Sequence, residues 1–84
     1  MPKSIHQEDY AFFLRHLRAI REQSGLTQEQ VADEMGVTQT FISKCERGER
    51  RMDLLEVRKY CRTMRVPFGK FVADLERKLN REKR

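Results

Sequence analysis

The 84-residue chain has no tryptophan, two prolines, two cysteines and four glycines. Each scarcity excludes something. Two cysteines, Cys45 and Cys61, cannot form a disulfide framework, and neither sits in a CxxC or Cys/His spacing that would hold a metal. Both fall inside apolar helical patterns, so two buried, reduced thiols and a cytoplasmic setting are expected. No run approaches the roughly 20 apolar residues that span a bilayer, so a membrane is not an expected partner. The opening stretch Met1 to Gln7 is polar and lacks the apolar core of a secretory signal. No period-two run and no Asn-Gly or Asp-Gly pair is present, which argues against strands and hairpins. No Ser/His/Asp or Cys/His arrangement, phosphate loop or pair of catalytic carboxylates is visible, so neither an enzyme nor a cofactor is expected.

Charge, by contrast, is plentiful. Charged residues make up 37% of the chain and hydrophobic ones 38%, enough for one small helical core. Eighteen Lys and Arg stand against 13 Asp and Glu, a net of +5 that makes nucleic acid the first partner to consider. The excess is uneven: residues 1–57 carry a net of −2 and residues 58–84 a net of +7. A smaller basic cluster, Lys44, Arg47, Arg50 and Arg51, surrounds Gly48, where a helix should give way to a loop.

Periodicity and punctuation predict five helices in one all-α domain spanning 1–84, with 1–7 and 80–84 frayed. The first begins at Ile5 or Glu8 and ends at Gln23, with Ser4 and Gln7 spaced as a capping pair and Phe13, Leu17 and Ile20 inward. The second covers Gln28 to Met35, capped by Thr27 with Gln30 and stopped by Gly36. The third covers Gln39 to about Arg47, capped by Thr38 and stopped by Gly48. The fourth follows Asp53, which pairs with Glu56, and turns Val57, Tyr60, Cys61 and Met64 inward. Pro67 suits the first position of the fifth. Its row Phe68, Phe71, Val72 and Leu75 exceeds what so small a chain can bury alone, so a two-fold dimer interface is expected there. His6 and His16 have no partner at ligand spacing and should face solvent.

The informative stretch is Leu26 to Gly48. Two short helices flank a three-residue turn: Ala32 is small enough to let them approach, Gly36 accepts a positive φ, and Val37 can plug the gap. These are the requirements of a helix-turn-helix, whose second helix enters the DNA major groove. Gln39, near that helix's N-terminus, can bond an adenine edge twice; Lys44 can donate to guanine; Thr40 carries a methyl suited to thymine. The amides at the starts of helices two and three attract phosphates.

Gly-Leu-Thr-Gln, Val-Ala, Gly-Val-Thr-Gln and Ile-Ser-Lys, closed by Glu-Arg-Gly, form a specific set. With it the chain resembles the lambda-repressor-like, or xenobiotic-response-element, helix-turn-helix proteins from about Leu17 to Leu75. The resemblance implies a five-helix DNA-binding domain in which Gln39, Thr40, Ser43 and Lys44 read bases. It implies phosphate contacts from Gln28, Arg47 and Arg50, to which Thr38 and Arg51 are added by position. It also implies that Arg21 pairs with Glu46, tying the first helix to the recognition helix. Three positions depart from the family pattern: Cys45 for an aliphatic residue, Tyr60-Cys61 for an Ile-Ala pair, and Arg65 for a glycine. The expected function is a bacterial or phage transcriptional regulator, a repressor acting as a homodimer on near-palindromic double-stranded DNA. An antitoxin or a restriction–modification controller protein, with a toxin or another regulator as protein partner, is an alternative. So is a protein-interaction module, given acidic Glu29, Asp33 and Glu34 on helix two.

Overall fold

The structure, a computed structural model, describes residues 5–82. Five helices follow one another: α1 (Ile5–Ser24), α2 (Gln28–Met35), α3 (Gln39–Arg47), α4 (Leu54–Thr63) and α5 (Phe68–Glu82). No strand occurs among the described residues. The expected Ser4–Gln7 capping pair and the orientation of His6 lie outside the described residues and side chains. Helix α5 continues through Asn80 to Glu82, past Leu79 where the apolar pattern ends.

The starts of the central helices are set by reciprocal caps. Thr27 Oγ1 accepts from the Gln30 amide at 3.1 Å while Gln30 Oε1 accepts from the Thr27 amide at 2.9 Å. Asp53 and Glu56 repeat the exchange at 2.8 and 3.0 Å ahead of α4. Thr38 caps α3 through the Phe41 amide at 3.0 Å. Each such cap stabilises by about 1 kcal/mol. Pro67 lies one residue earlier than expected: its carbonyl accepts the first bond of α5, from the Phe71 amide at 3.0 Å.

Helix ends use one repeated geometry. At Gly36 (φ 74°) the chain turns left-handed and the Val37 amide reaches back to the Ala32 carbonyl at 3.0 Å. At Gly48 (φ 82°) the Glu49 amide reaches the Lys44 carbonyl at 2.9 Å, and a Cβ there would meet Leu14 Cδ1 at 2.8 Å. The end of α4 makes the same pair of bonds, Arg65 to Arg62 at 3.0 Å and Val66 to Cys61 at 2.9 Å, but with a non-glycine residue at φ 61°.

The core is drawn from all five helices: Leu17 and Ile20 from α1, Val31, Ala32 and Met35 from α2, Ile42 from α3, Val57, Tyr60 and Cys61 from α4, Met64 just after it, and Phe71 from α5. Helix α2 packs on α3 and α4, α1 on α3, and α5 closes over α1 and α4. Two expectations need correcting. His16 is not solvent-facing: it is 7% exposed and its ring stacks on Phe71, with centroids 4.5 Å apart. It lies three residues after Phe13 and four before Ile20, so it shares their inward stripe. Phe71, at 2% exposed, is spent in the core under His16 and the edge of Phe13. It therefore has no surface left for an interface, while Val72 beside it is 45% exposed.

A left-handed backbone costs an L-residue roughly 1–2 kcal/mol that glycine does not incur. Replacing Arg65 with glycine is accordingly expected to stabilise the fold by about 1 kcal/mol, net of the freer unfolded chain. That corresponds to a rise in melting temperature of about 4–8 °C for a domain of this size. A variant melting no higher than the parent would show that the Arg65 side chain makes good the backbone strain.

Candidate nucleic-acid interface

Helix α3 is short because Thr38 starts it and Gly48 stops it, and it is amphipathic. Ile42, Cys45 and Glu46 are buried, while Gln39, Thr40, Lys44 and Arg47 are exposed and Ser43 is half-buried. The buried glutamate governs the outer face.

The Glu46 side chain is 0% exposed and receives donors from three helices besides its own. Arg21 of α1 donates twice, Nε to Oε2 at 2.7 Å and Nη2 to Oε1 at 3.0 Å. Gln28, the first residue of α2, donates Nε2 to Oε1 at 3.0 Å. The Tyr60 hydroxyl of α4 lies 2.8 Å from Oε2 and 3.2 Å from the Leu17 carbonyl; with one hydrogen, it favours the closer, charged acceptor. Arg21 also donates Nη1 to the Leu26 carbonyl at 3.1 Å, fixing the entry to α2. Burial alone would raise the Glu46 pKa, but the donors Arg21, Gln28 and Tyr60 outweigh it and hold the carboxyl below its ordinary value. Tyr60 moves the other way, its phenol kept protonated by burial and by the adjacent carboxylate.

The network reaches the surface. Gln28 gives its amide nitrogen to Glu46, which leaves its oxygen to accept from Gln39 Nε2 at 2.8 Å. Gln39 stands at the exposed first turn of α3, so a chain of hydrogen bonds runs from the buried carboxylate to the leading edge of the helix. The relay also determines which way each amide faces, because Gln28 can satisfy both neighbours in only one orientation.

The basic residues after α3 are arranged with equal economy. Arg47 pairs with Glu49 at 2.7 Å and donates to Ser43 Oγ. Arg50 bonds both oxygens of Glu56 at 3.0 and 3.1 Å and lies over the Phe41 ring at 4.4 Å. Arg51 lies over the Tyr10 ring, also at 4.4 Å. Thr38, Gln39, Thr40, Lys44, Arg47, Arg50 and Arg51 are all exposed, on α3 or immediately beside it. Gln28 sits behind them, half-buried, as the link to Glu46. Burial raises the Cys45 thiol pKa and pushes Cys61 up to about 11, so neither is a ready nucleophile.

Sequence reasoning placed Arg21 and Glu46 together but missed Tyr60 as a partner and Gln28 as the bridge to Gln39. The Tyr60 signal was available: a tyrosine in an inward helical position needs an acceptor for its hydroxyl.

A short capped helix, presented by a tight turn on a second helix and edged by cations, defines a helix-turn-helix DNA-binding domain. Residues 17–71 match the helix-turn-helix family, and the chain belongs to it. Within that family it is of the xenobiotic-response-element type. It is similar to a solved structure described as an XRE-family like protein from Pseudomonas syringae pv. tomato str. DC3000. The two are 35% identical, with a TM-score of 0.82 over 86% of this chain and 88% of that one. No curated protein matches the chain. No helix of the described residues is long and apolar enough to cross a membrane.

Replacing Glu46 with glutamine leaves the Arg21 guanidinium, only 13% exposed, without its counter-charge. The expected cost near neutral pH is about 3 kcal/mol, the lower end for a broken buried pair because Arg21 keeps some solvent. The pH sign follows from the lowered carboxyl pKa. The stability it contributes is complete above the ordinary value of 4.5 and is lost as pH falls through the depressed folded value. Denaturant unfolding of parent and E46Q should therefore show a wide gap at neutral pH that narrows in acid; a gap independent of pH would contradict the assignment.

Proposed function

We propose that the protein is a transcriptional repressor that binds a near-palindromic operator as a homodimer, with one α3 in each of two successive major grooves. The observation that carries this reading is the Gln39–Gln28–Glu46 relay, which orients an amide edge at the front of the exposed helix. An amide held in one orientation presents a defined donor and acceptor, which is what bidentate recognition of adenine requires. Thr40, Ser43 and Lys44 follow along the same helix as further base-reading residues. Thr38, Arg47, Arg50 and Arg51 are the phosphate-binding residues, together with the half-buried Gln28 at the start of α2.

The ion pairs that engage Arg47 and Arg50 do not oppose this role. Solvent screens pairs as exposed as these, so a phosphate can replace Glu49 or Glu56 at small cost. For a two-fold assembly, Val72 with the half-buried Phe68 and Leu75 remain on α5, and Leu54 and Leu55 are exposed at the start of α4. A dimer would place its recognition helices about 34 Å apart, one turn of DNA.

Selection of bound sequences from random duplex DNA tests the reading. An enriched two-fold motif is expected; recovery of only salt-sensitive, sequence-blind binding would favour a protein-interaction module instead. Gln39→Ala should relax preference at one or two positions, costing about 1–3 kcal/mol at the preferred base. Arg50→Ala should weaken all duplexes alike and lower the salt dependence by about one phosphate charge. A changed sequence preference in the Arg50 variant would move that residue from phosphate to base recognition.

A further inference from the structure

Away from α3, the outer edge of α1 and the C-terminal half of α5 enclose a groove of about 360 Å³ lined by Phe12, Arg15, His16, Ala19, Lys78 and Arg81. Phe12, Arg15, His16 and Ala19 recur at three- and four-residue spacing, so they form one stripe along α1. Lys78 and Arg81, three residues apart on α5, face it. Every formally charged lining residue is a cation, and no carboxylate lines the groove among the described residues. Phe12 and Ala19 are half-buried and give it an apolar floor, and the Arg15 guanidinium lies 5.0 Å above the Phe12 ring.

His16 closes the inner wall of the groove, four residues from Phe12 on the same stripe of α1. It is 93% buried, with its ring stacked on Phe71. Burial, with Lys78 next, lowers its pKa against the opposing Phe71 backbone and Asp74, so the neutral ring is favoured there.

We infer that this groove binds a small organic monoanion with a flat apolar body, its acid group between Arg15, Lys78 and Arg81 and its body on Phe12 and Ala19. The volume lies at the small end for ligand pockets, suiting one or two fused rings rather than a peptide or a helix. Aromatic content follows from the Phe12–Arg15 pair, which offers both a ring face and a guanidinium plane for stacking. The acid group gains charge-assisted hydrogen bonds that a neutral head would not. The inference does not depend on how α3 is used, since none of the six lining residues belongs to α2, α3 or the loop after α3.

Titrating 1-naphthoate into the full chain, followed by calorimetry and by isotope-edited NMR, tests it. Saturable binding is expected, with shifts concentrated at Phe12, His16, Ala19 and Lys78. The neutral analogue 1-naphthylmethanol should bind at least tenfold more weakly. Lys78→Glu with Arg81→Glu should weaken naphthoate at least tenfold; both residues are exposed, so the fold, checked by its helical circular dichroism, should persist. If that double variant loses its helical signal, Lys78→Ala alone, expected to bind severalfold more weakly, replaces it. No saturable binding, shifts spread evenly over α3 and α4, or variants that bind as tightly as the parent would overturn the site. Inorganic phosphate displacing naphthoate at equal concentration would overturn it too, by showing an anion site with no apolar component.

Discussion

A carboxylate buried in a chain of 84 residues must be neutralised and hydrogen-bonded, or the fold that contains it will not form. Glu46 meets that condition by drawing a donor from each of α1, α2 and α4, and so fixes the position of its own helix relative to three others. The apolar core supplies most of the stabilisation, but apolar contact is indifferent to small rotations of a nine-residue helix. Directed hydrogen bonds are not. The rotation and register of α3, which decide which side chains face outward, therefore rest on one acidic residue.

The same constraint orders the surface. Because Glu46 takes the amide nitrogen of Gln28, the Gln28 oxygen is left to hold Gln39. Residues that resemble separate contacts in sequence thus act as one connected chain. Glu56 makes a comparable double use on α4, capping the Asp53 amide while it holds Arg50. Cap, loop and basic side chain are then set by a single carboxylate, and the cationic edge beside α3 is ordered before any partner arrives.

Most of the fold was legible because it is written in local signals. Thr27, Thr38 and Asp53 begin helices where a hydroxyl or carboxylate can take an amide, and Gly36 and Gly48 end them where φ turns positive. The helix-turn-helix could be read from the same residues. What could not be read depends on contacts between distant positions. His16 looks polar in sequence, yet its place on the inward stripe buries it against Phe71, 55 positions later. Phe71 belongs to a row of four apolar residues, and only the packing of α5 on α1 decides which of them the core consumes. The outward signal at Arg65 was a departure from the family's glycine; its meaning, a side chain held at φ 61°, needed the backbone.

In the proposed function, the leading edge of α3 is oriented through Gln28 from the buried Glu46. A double-mutant cycle on Gln28→Ala and Gln39→Ala tests it most directly, with discrimination between the selected duplex and one altered at the Gln39-dependent base pair as the readout. If Gln28 acts by holding Gln39, losing either should remove most of the same discrimination, and losing both should cost little more, giving a coupling of about 1 kcal/mol or greater. Additive losses, or a Gln28 variant that retains full discrimination, would contradict the account and leave Gln39 to be positioned by α3 alone.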